Sequence, residues 1–422
     1  MSTEPISFEP PRGMRDFYPE DMIWRNRVFD AWRHAAVAFG FQPYDACVVE
    51  SLELLQRKSG EEVSEQIYHF EDKSGRKLAL RPEMTPTLAR MIAARQGQLS
   101  FPVKWFAIAQ CFRYERMTRG RKREHYQWNM DIIGDESVSA EIEILAAAAT
   151  ALKKMGLADG AYKIHVNNRA LLAELLAKSG IAAEHHAAVF LALDKRGKIP
   201  DEEIAALLKA EGLDDGAVAK TFELLGVQTL DQAAALAGAD SAAIATLLEL
   251  FALAAIYGIS DRLVFDIAVI RGLSYYTGIV FEAFDTERKF RAIFGGGRYD
   301  SLLTTIGGAP TPAVGLGFGD VVVVEVLKDL LGETAAAEKS GVVVGYMFPE
   351  QRDAAMRLAR TLREKGETVD LLLGKHKPKQ FFSRAGSGNA ADAVFIGPDD
   401  VAKGVAKRKN LATRQETEIP LG

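Results

Sequence analysis

The chain has 422 residues, 52 Lys and Arg against 57 Asp and Glu, a formal net charge of -5 and 48% hydrophobic residues. That is enough length for two or three cores, and it excludes a broadly basic surface, so any polyanion must be gripped at local patches. The two cysteines, Cys47 and Cys111, are far apart without CxxC spacing, which excludes a zinc ribbon or disulfide framework and fits buried thiols in a reducing cytosol. The opening "MSTEPISFEPPRGMRDFYPED" is too polar for a signal peptide and no apolar run is long enough to span a membrane, so a cytoplasmic protein is expected.

In chain order, residues 20 to 40 read as an amphipathic helix, with Ile23, Val28, Trp32, Ala35 and Ala36 near helical spacing and Gly40 as a C-cap. "FQPYDACVVES" reads as a strand. "LALRPEMTPTLARMIAA" gives a short strand, a turn at Pro82 and a helix capped by Thr85 with Pro86 first. "VKWFAIAQCFRYER" and "HYQWNMDIIG" are aromatic and β-branched, and their short separation predicts an antiparallel pair whose tip carries Arg116, Arg119, Arg121, Lys122 and Arg123. A helix over 136 to 155 and a strand at "YKIHVNN" follow.

From about 169 to 257 the texture turns to Ala, Leu, Glu and Lys, which predicts a helical insertion. Strands return at "LVFDIAVI", "GIVFEAF" and "FRAIFGGGRYD", and a helix begins in or just after "VGLGFGD". Such scattered strands argue for an α+β domain over 1–330, built on a largely antiparallel sheet flanked by helices. Residues 331–340 are the linker candidate, and 341–422 alternate β, α, β, β as a small separate α/β domain.

No P-loop is present, and "GLGFGD" has Asp320 where GxGxxG needs its last glycine. Gln127, Asn129 and Asp131 alternate on one strand and share a face opposite Arg113, while Trp128 and Met130 point the other way. That is the pattern of a polar pocket floor; a solvated face with a surface ion pair is the blander reading. Arg271 stands at a turn before Gly272, where a guanidinium can be aimed at a phosphate. Tyr275 and Tyr276 offer rings and hydroxyls. The glycines at 295 to 297 permit close approach either of a ligand or of neighbouring strands.

Taken together, "PRGMRDFYPED", "ALRPEMTPTLAR", "FRYER…GRKREHYQWNMDIIG", "RGLSYYTGIVFE" and "GGGRYD" resemble the histidyl-tRNA synthetases, a class II aminoacyl-tRNA synthetase family, nearly end to end. The resemblance implies a class II catalytic domain, a C-terminal anticodon-binding domain, and ligation of histidine to tRNA(His) with ATP as substrate and Mg²⁺ on its phosphates. It implies that Glu83, Thr85 and Gln127 hold the backbone of histidine, that Asp131 and Tyr276 read its imidazole beside Tyr275, and that Arg113 and Arg271 act on the α-phosphate. Glu115 joins the ATP site. Arg116, Arg119, Arg121 and Arg123 belong to the motif 2 loop at the tRNA acceptor end. It further implies a homodimer whose two-fold axis lies near the helix from residue 20, and no dedicated metal site.

Four positions depart from the family pattern. Asp131 stands where many members have Glu, Ser274 where many have Asp, and Cys47 where motif 1 has proline. Motif 3 ends in Val321 and Val322 where Glu and an adenine-stacking Arg are usual, as in a subset of the family with "GFGD". Arg298 is the expected substitute on ATP. The alternative is a non-aminoacylating paralogue acting as the regulatory subunit of an ATP phosphoribosyltransferase; such proteins generally lack the anticodon-binding domain and lose catalytic arginines, whereas this chain keeps Arg113, Arg271 and 341–422.

Overall fold

A computed structural model describes residues 7–57, 66–196, 199–271, 275–332, 339–388 and 390–421. Gly272, Ser274 and most of the expected linker lie outside the described residues. Contacts divide the chain into two compact units, Met1–Glu333 and Thr334–Gly422.

The first unit contains β1 (Gln42–Pro43), β2 (Val49–Ser51), β3 (His69–Glu71), β4 (Lys77–Leu80), β5 (Val103–Phe112), β6 (Glu124–Ile133), β7 (Tyr162–Asn168), β8 (Leu263–Phe265), β9 (Ile279–Asp285), β10 (Phe294–Arg298) and β11 (Ala313–Gly319). Eight of them form one sheet in the order β1-β5-β6-β11-β10-β9-β7-β8, while β2-β4-β3 form a small second sheet. Only the edge pairs β1–β5 and β7–β8 of the large sheet are parallel. The expected single strand "FQPYDACVVES" is therefore two short strands in two sheets. Pro43 has no N–H to donate, and proline is tolerated at a sheet edge where β1 lies.

The β5–β6 hairpin pairs from Val103↔Ile133 to Phe112↔Glu124, so residues 113 to 123 form its tip. One face of the sheet is apolar. There Trp128 of β6 and Phe318 of β11 meet Trp32 from the helix Pro19–Ala38, and Phe294 of β10 meets Phe318, with ring centroids 5.3 to 6.2 Å apart. Pairs like these contribute roughly 0.5–1.5 kcal/mol each beyond their buried area. The helices Ser139–Met155 and Asp320–Leu331 complete this layer. Period-2 alternation then sends Gln127, Asn129 and Asp131 to the opposite face.

Over the Asp131 end of that opposite face lies the helix Thr85–Arg95, whose Leu88, Ala89 and Ile92 pack with Tyr275, Tyr276 and Tyr299. Thr85 is the first residue of this helix and makes no cap bond, because Met84 is already right-handed at φ -93 and ψ -29. The expected Thr85 cap is thus replaced by a helical start. Residues 169 to 256 are helical in six segments among the described residues, from Arg169–Lys178 to Ala242–Ile256.

In the second unit, β12 (Val342–Tyr346), β13 (Val369–Lys375), β14 (Asp392–Ile396), β15 (Val405–Asn410) and β16 (Glu416–Pro420) form one sheet in the order β13-β12-β14-β15-β16. The helix Arg352–Glu364 covers one face through Leu358 and Leu362, and the helix Pro378–Ser387 inserts Phe381 against the other. The expected β, α, β, β order lacked that second helix. Its "PKQFFSRAGS" carries an adjacent Phe pair and ends in three small residues, and this obscures helical periodicity. The basic run "VAKRKN" is strand β15, with Arg408 paired to Asp392 and Glu367 and Lys407 to Glu416.

Candidate active site

The polar face of the large sheet floors a cleft of about 1510 Å³. Along the floor β6 and β11 run side by side, pairing Asp131↔Gly315, Asn129↔Gly317 and Gln127↔Gly319. The glycines of "VGLGFG" have a specific use here: a Cβ at Gly315 would collide with the Asp131 carboxylate, and one at Gly317 with the Gln127 amide. The two polar side chains lie flat across the neighbouring strand because that strand has no side chains of its own at those places.

At one end, Tyr299 donates to Asp131 Oδ1 at 2.5 Å, while Oδ2 is buried without a hydrogen-bond partner among the described residues. Burial pushes the Asp131 carboxyl up to about 7, against the Tyr299 bond that favours its ionised form. Tyr44 lies nearby, its hydroxyl also buried and unbonded. Glu83, buried on the turn before the helix Thr85–Arg95, accepts from the Tyr275 hydroxyl at 3.1 Å. That turn is stapled by Arg81, which donates to the carbonyls of Gln110 and Ala46, and by Arg113, whose Nε donates to the Pro82 carbonyl at 2.9 Å. Thr85, Gln127, Arg113, Tyr275 and Tyr276 all line the cleft.

Arg271 adopts φ +62, a left-handed conformation unfavourable for a non-glycine residue, and pairs with Glu282 of β9 at 2.5 Å. Burial opposes its charge, but Glu282 outweighs burial and holds the guanidinium protonated. Gly295 leaves it room: a Cβ there would strike its Nη1. Gly296 and Gly297 lie tight against Gly315 backbone and against Ile279 backbone and Tyr276. The three glycines therefore serve both close strand packing and the seating of Arg271.

At the other end stand Glu115, Arg121, Lys122, His125, Phe290, Arg291, Val321 and Val322. Glu115 pairs with Arg121 at 2.6 Å and lies 3.8 Å from Arg113. Burial, with the charges of Arg113 and Arg15 beside it, pushes the His125 imidazole down to about 3 and keeps it neutral. Such a cleft, with an unpaired buried acceptor at one end and cations along its length, can hold a small polar molecule and a polyanion in line.

A model of histidyl-tRNA synthetase matches residues 13–319, and one of an anticodon binding domain matches residues 340–422. The chain belongs to the histidyl-tRNA synthetase family. It is 44% identical over 99% of its length to the chloroplastic/mitochondrial histidine–tRNA ligase of Arabidopsis thaliana, covering 86% of that relative. It is 40% identical to the histidine–tRNA ligase of Opitutus terrae, with 98% of this chain and 96% of that one aligned. The crystal structure of a histidyl-tRNA synthetase from Nostoc sp. superposes with a TM-score of 0.82 at 24% identity, over 99% of this chain and 97% of that one, and so shares the fold.

The residue expected to substitute on ATP stands elsewhere. Arg298 does not enter the cleft. It lies on the apolar side of the sheet with Phe294, where its Nε and Nη2 grip Glu141 at 2.6 and 2.7 Å and its Nη1 and Nη2 donate to the carbonyls of Asp135 and Ser137. Strand alternation decides this, since Gly295 and Gly297 take the cleft side of β10. Of Arg116, Arg119, Arg121 and Arg123, only Arg121 lines the cleft. Arg116 is exposed; Arg119 lies over the Phe290 ring at 4.8 Å; Arg123 rests on the Tyr114 ring at 3.9 Å and packs against Gly13.

Two features escaped the sequence reading. Tyr299 sat in the quoted "GGGRYD", but nothing in that string pairs it with a carboxylate 168 residues away. Arg15 bridges Glu124 at 2.6 Å and Asp320 at 2.9 Å, and Asp320 also accepts from the Tyr126 N–H. The aspartate that spoils a dinucleotide motif thus ties the N-terminal segment to the cleft's outer wall.

Proposed function

We propose that the cleft activates L-histidine with ATP, giving histidyl-adenylate and pyrophosphate, and then passes histidine to the 3′ end of tRNA(His). The supporting observation is Oδ2 of Asp131, without a hydrogen-bond partner among the described residues, at one end of a cleft whose walls also carry Arg113 and Arg271. The imidazole of histidine donates to Asp131, whose other oxygen Tyr299 occupies, with Tyr276 beside it. Glu83, Thr85 and Gln127 take the amino group and backbone. A substrate without a ring donor leaves the buried carboxylate unpaired and is rejected by roughly 10⁴ or more.

With histidine so seated, its carboxylate points toward Arg113. One carboxylate oxygen attacks the α-phosphorus in line, the bond to the bridging oxygen of the β-phosphate breaks, and pyrophosphate leaves. Arg113 and Arg271 neutralise charge that grows on the non-bridging oxygens, and loss of one such donor costs roughly 10²–10³ in rate. Glu282 and Pro82 O hold these arginines in position before substrate arrives. Mg²⁺ carried by ATP would supply further charge neutralisation on its phosphates, with Glu115 the cleft carboxylate that would hold it. In the second step the terminal ribose hydroxyl attacks the carbonyl carbon and AMP departs.

Residues 115 to 124 face the acceptor end of tRNA, with Arg116, Arg119 and Arg121 as phosphate contacts. The second unit reads the anticodon side. We take the working form to be a homodimer and the compartment to be the cytoplasm; among the described residues no helix is long and apolar enough to cross a membrane. The regulatory-subunit reading has less support, since the anticodon-binding match and both cleft arginines are retained. The test is histidine-dependent exchange of labelled pyrophosphate into ATP. Exchange with histidine alone among the amino acids is expected; its absence from folded protein would overturn the assignment.

A further inference from the structure

Arg298 cannot serve the nucleotide, so the outer end of the cleft needs another account. Strand spacing fixes what lies there. Side chains two apart on β6 are about 7 Å apart, so the floor from Asp131 to His125 runs about 20 Å. An amino acid seated on Asp131 ends near Gln127 and Arg113, and the remaining floor is left to the nucleotide.

The walls at that end suit an uncharged flat ring. Val321 and Val322 open the helix Asp320–Leu331 and line the cleft, and His125 presents a neutral imidazole. The hairpin tip closes in, since a Cβ on Gly120 would lie 3.3 Å from Val322 Cγ2 and 3.8 Å from Arg291 Cδ. These contacts bring Arg291, on the loop between β9 and β10, alongside Val322.

Arg291 differs from the arginines around it. Arg121 is held by Glu115, Arg119 by Phe290 and Glu325, Arg15 by Glu124 and Asp320, and Arg271 by Glu282. Arg291 is half-buried, yet it makes no hydrogen bond or ion pair with any described residue. Burial, and then the charge of Arg121, pull its pKa down, while the charge of Glu115 offsets them only in part. A half-buried guanidinium without a direct ion pair gains most from a ligand that covers its planar face.

We infer that Arg291 holds the adenine ring of ATP, stacking its guanidinium on the base against His125 and the Val321–Val322 wall. The inference rests on the ATP-dependent reading above and deepens it. It assigns to the β9–β10 loop the nucleotide contact that the start of the helix Asp320–Leu331 does not provide.

The experiment compares wild type with Arg291→Ala and Arg291→Lys, using calorimetric binding of MgATP, competition by adenosine and by inorganic triphosphate, and the exchange assay. Arg291→Ala should weaken MgATP and adenosine each by about tenfold, leave triphosphate competition and the KM for histidine unchanged, and melt at the wild-type temperature. Arg291→Lys keeps the charge but not the planar face and should behave like Arg291→Ala. Wild-type ATP affinity in Arg291→Ala would overturn the inference, as would a loss confined to triphosphate and rescued by lysine, which places the contact on phosphate. The two readings separate cleanly. Normal exchange with an unaffected Arg291→Ala enzyme sinks the inference alone, ATP binding through Arg291 without histidine-dependent exchange sinks the ligase reading alone, and no ATP binding by wild type sinks both.

Discussion

Tyr299 Oη lies 2.5 Å from Asp131 Oδ1, and both side chains are buried, so a phenol at the end of β10 sets the direction in which a carboxylate on β6 presents its free oxygen. Residues 168 apart in sequence thus form one recognition unit. A hydrogen bond to a charged group is worth about 1.5–3 kcal/mol. Tyr299→Phe should therefore raise the KM for histidine in the exchange assay roughly ten- to a hundredfold, with the KM for ATP little changed. Equal effects on both substrates would count against the pairing as a specificity device.

The Asp131 carboxyl also predicts a pH effect. Its folded value near 7 lies above the ordinary carboxylate value, so the folded state binds the extra proton between roughly pH 4 and 7. Its contribution to stability is full below that window and is lost as pH rises through about 7. Asp131→Asn should abolish histidine activation while gaining stability over wild type at pH 8 that it does not gain at pH 5. Thermal melts at the two values check the sign.

Arg298 makes its contacts with Glu141 away from the cleft. Breaking a buried pair by removing one partner costs about 3–5 kcal/mol. Arg298→Ala should lower the denaturant midpoint strongly, and the folded fraction should bind ATP as wild type does. Reduced ATP affinity with an unchanged midpoint would reverse the assignment.

Gly317 has room only for the Gln127 amide. Overpacking of this kind costs about 1–3 kcal/mol where neighbours must shift. Gly317→Ala should displace Gln127, giving a modest loss of stability and a larger rise in the KM for histidine. A variant that loses stability alone would mean Gln127 does not touch the substrate.

Arg15 neutralises Asp320, whose carboxyl burial pushes above the usual range even with that arginine beside it. Arg15→Met should be destabilised most at high pH, where Asp320 must stay charged without its cation, and least near pH 5. A deficit independent of pH would indicate packing loss instead.

Strand alternation made the pocket floor legible. Gln127, Asn129 and Asp131 had to share a face because Trp128 and Met130 between them are apolar, and the hairpin with its basic tip followed from two strand-like runs a short loop apart. The helical texture of the insertion and a helix beginning in or just after "VGLGFGD" were equally plain, since composition and the glycine run mark them locally. The same alternation could not orient Arg298, because a strand reading "FGGGR" offers no polar and apolar contrast to say which side faces the core. "FQPYDACVVES" looked like one strand because nothing local shows that its halves join different sheets.

What the sequence by itself determined is whatever short-range periodicity and quoted motifs can carry: the elements, the antiparallel class of the sheet, the family, and a set of polar residues that belong together. The tertiary structure alone decided how their charges are used. Arg271 on Glu282, Tyr299 on Asp131, Arg15 between Glu124 and Asp320, and Arg291 without an ion pair or hydrogen bond among the described residues are relations between distant segments. Electrostatic pairing and desolvation act through space, and a linear sequence does not record which charges burial will bring within a few ångströms of one another.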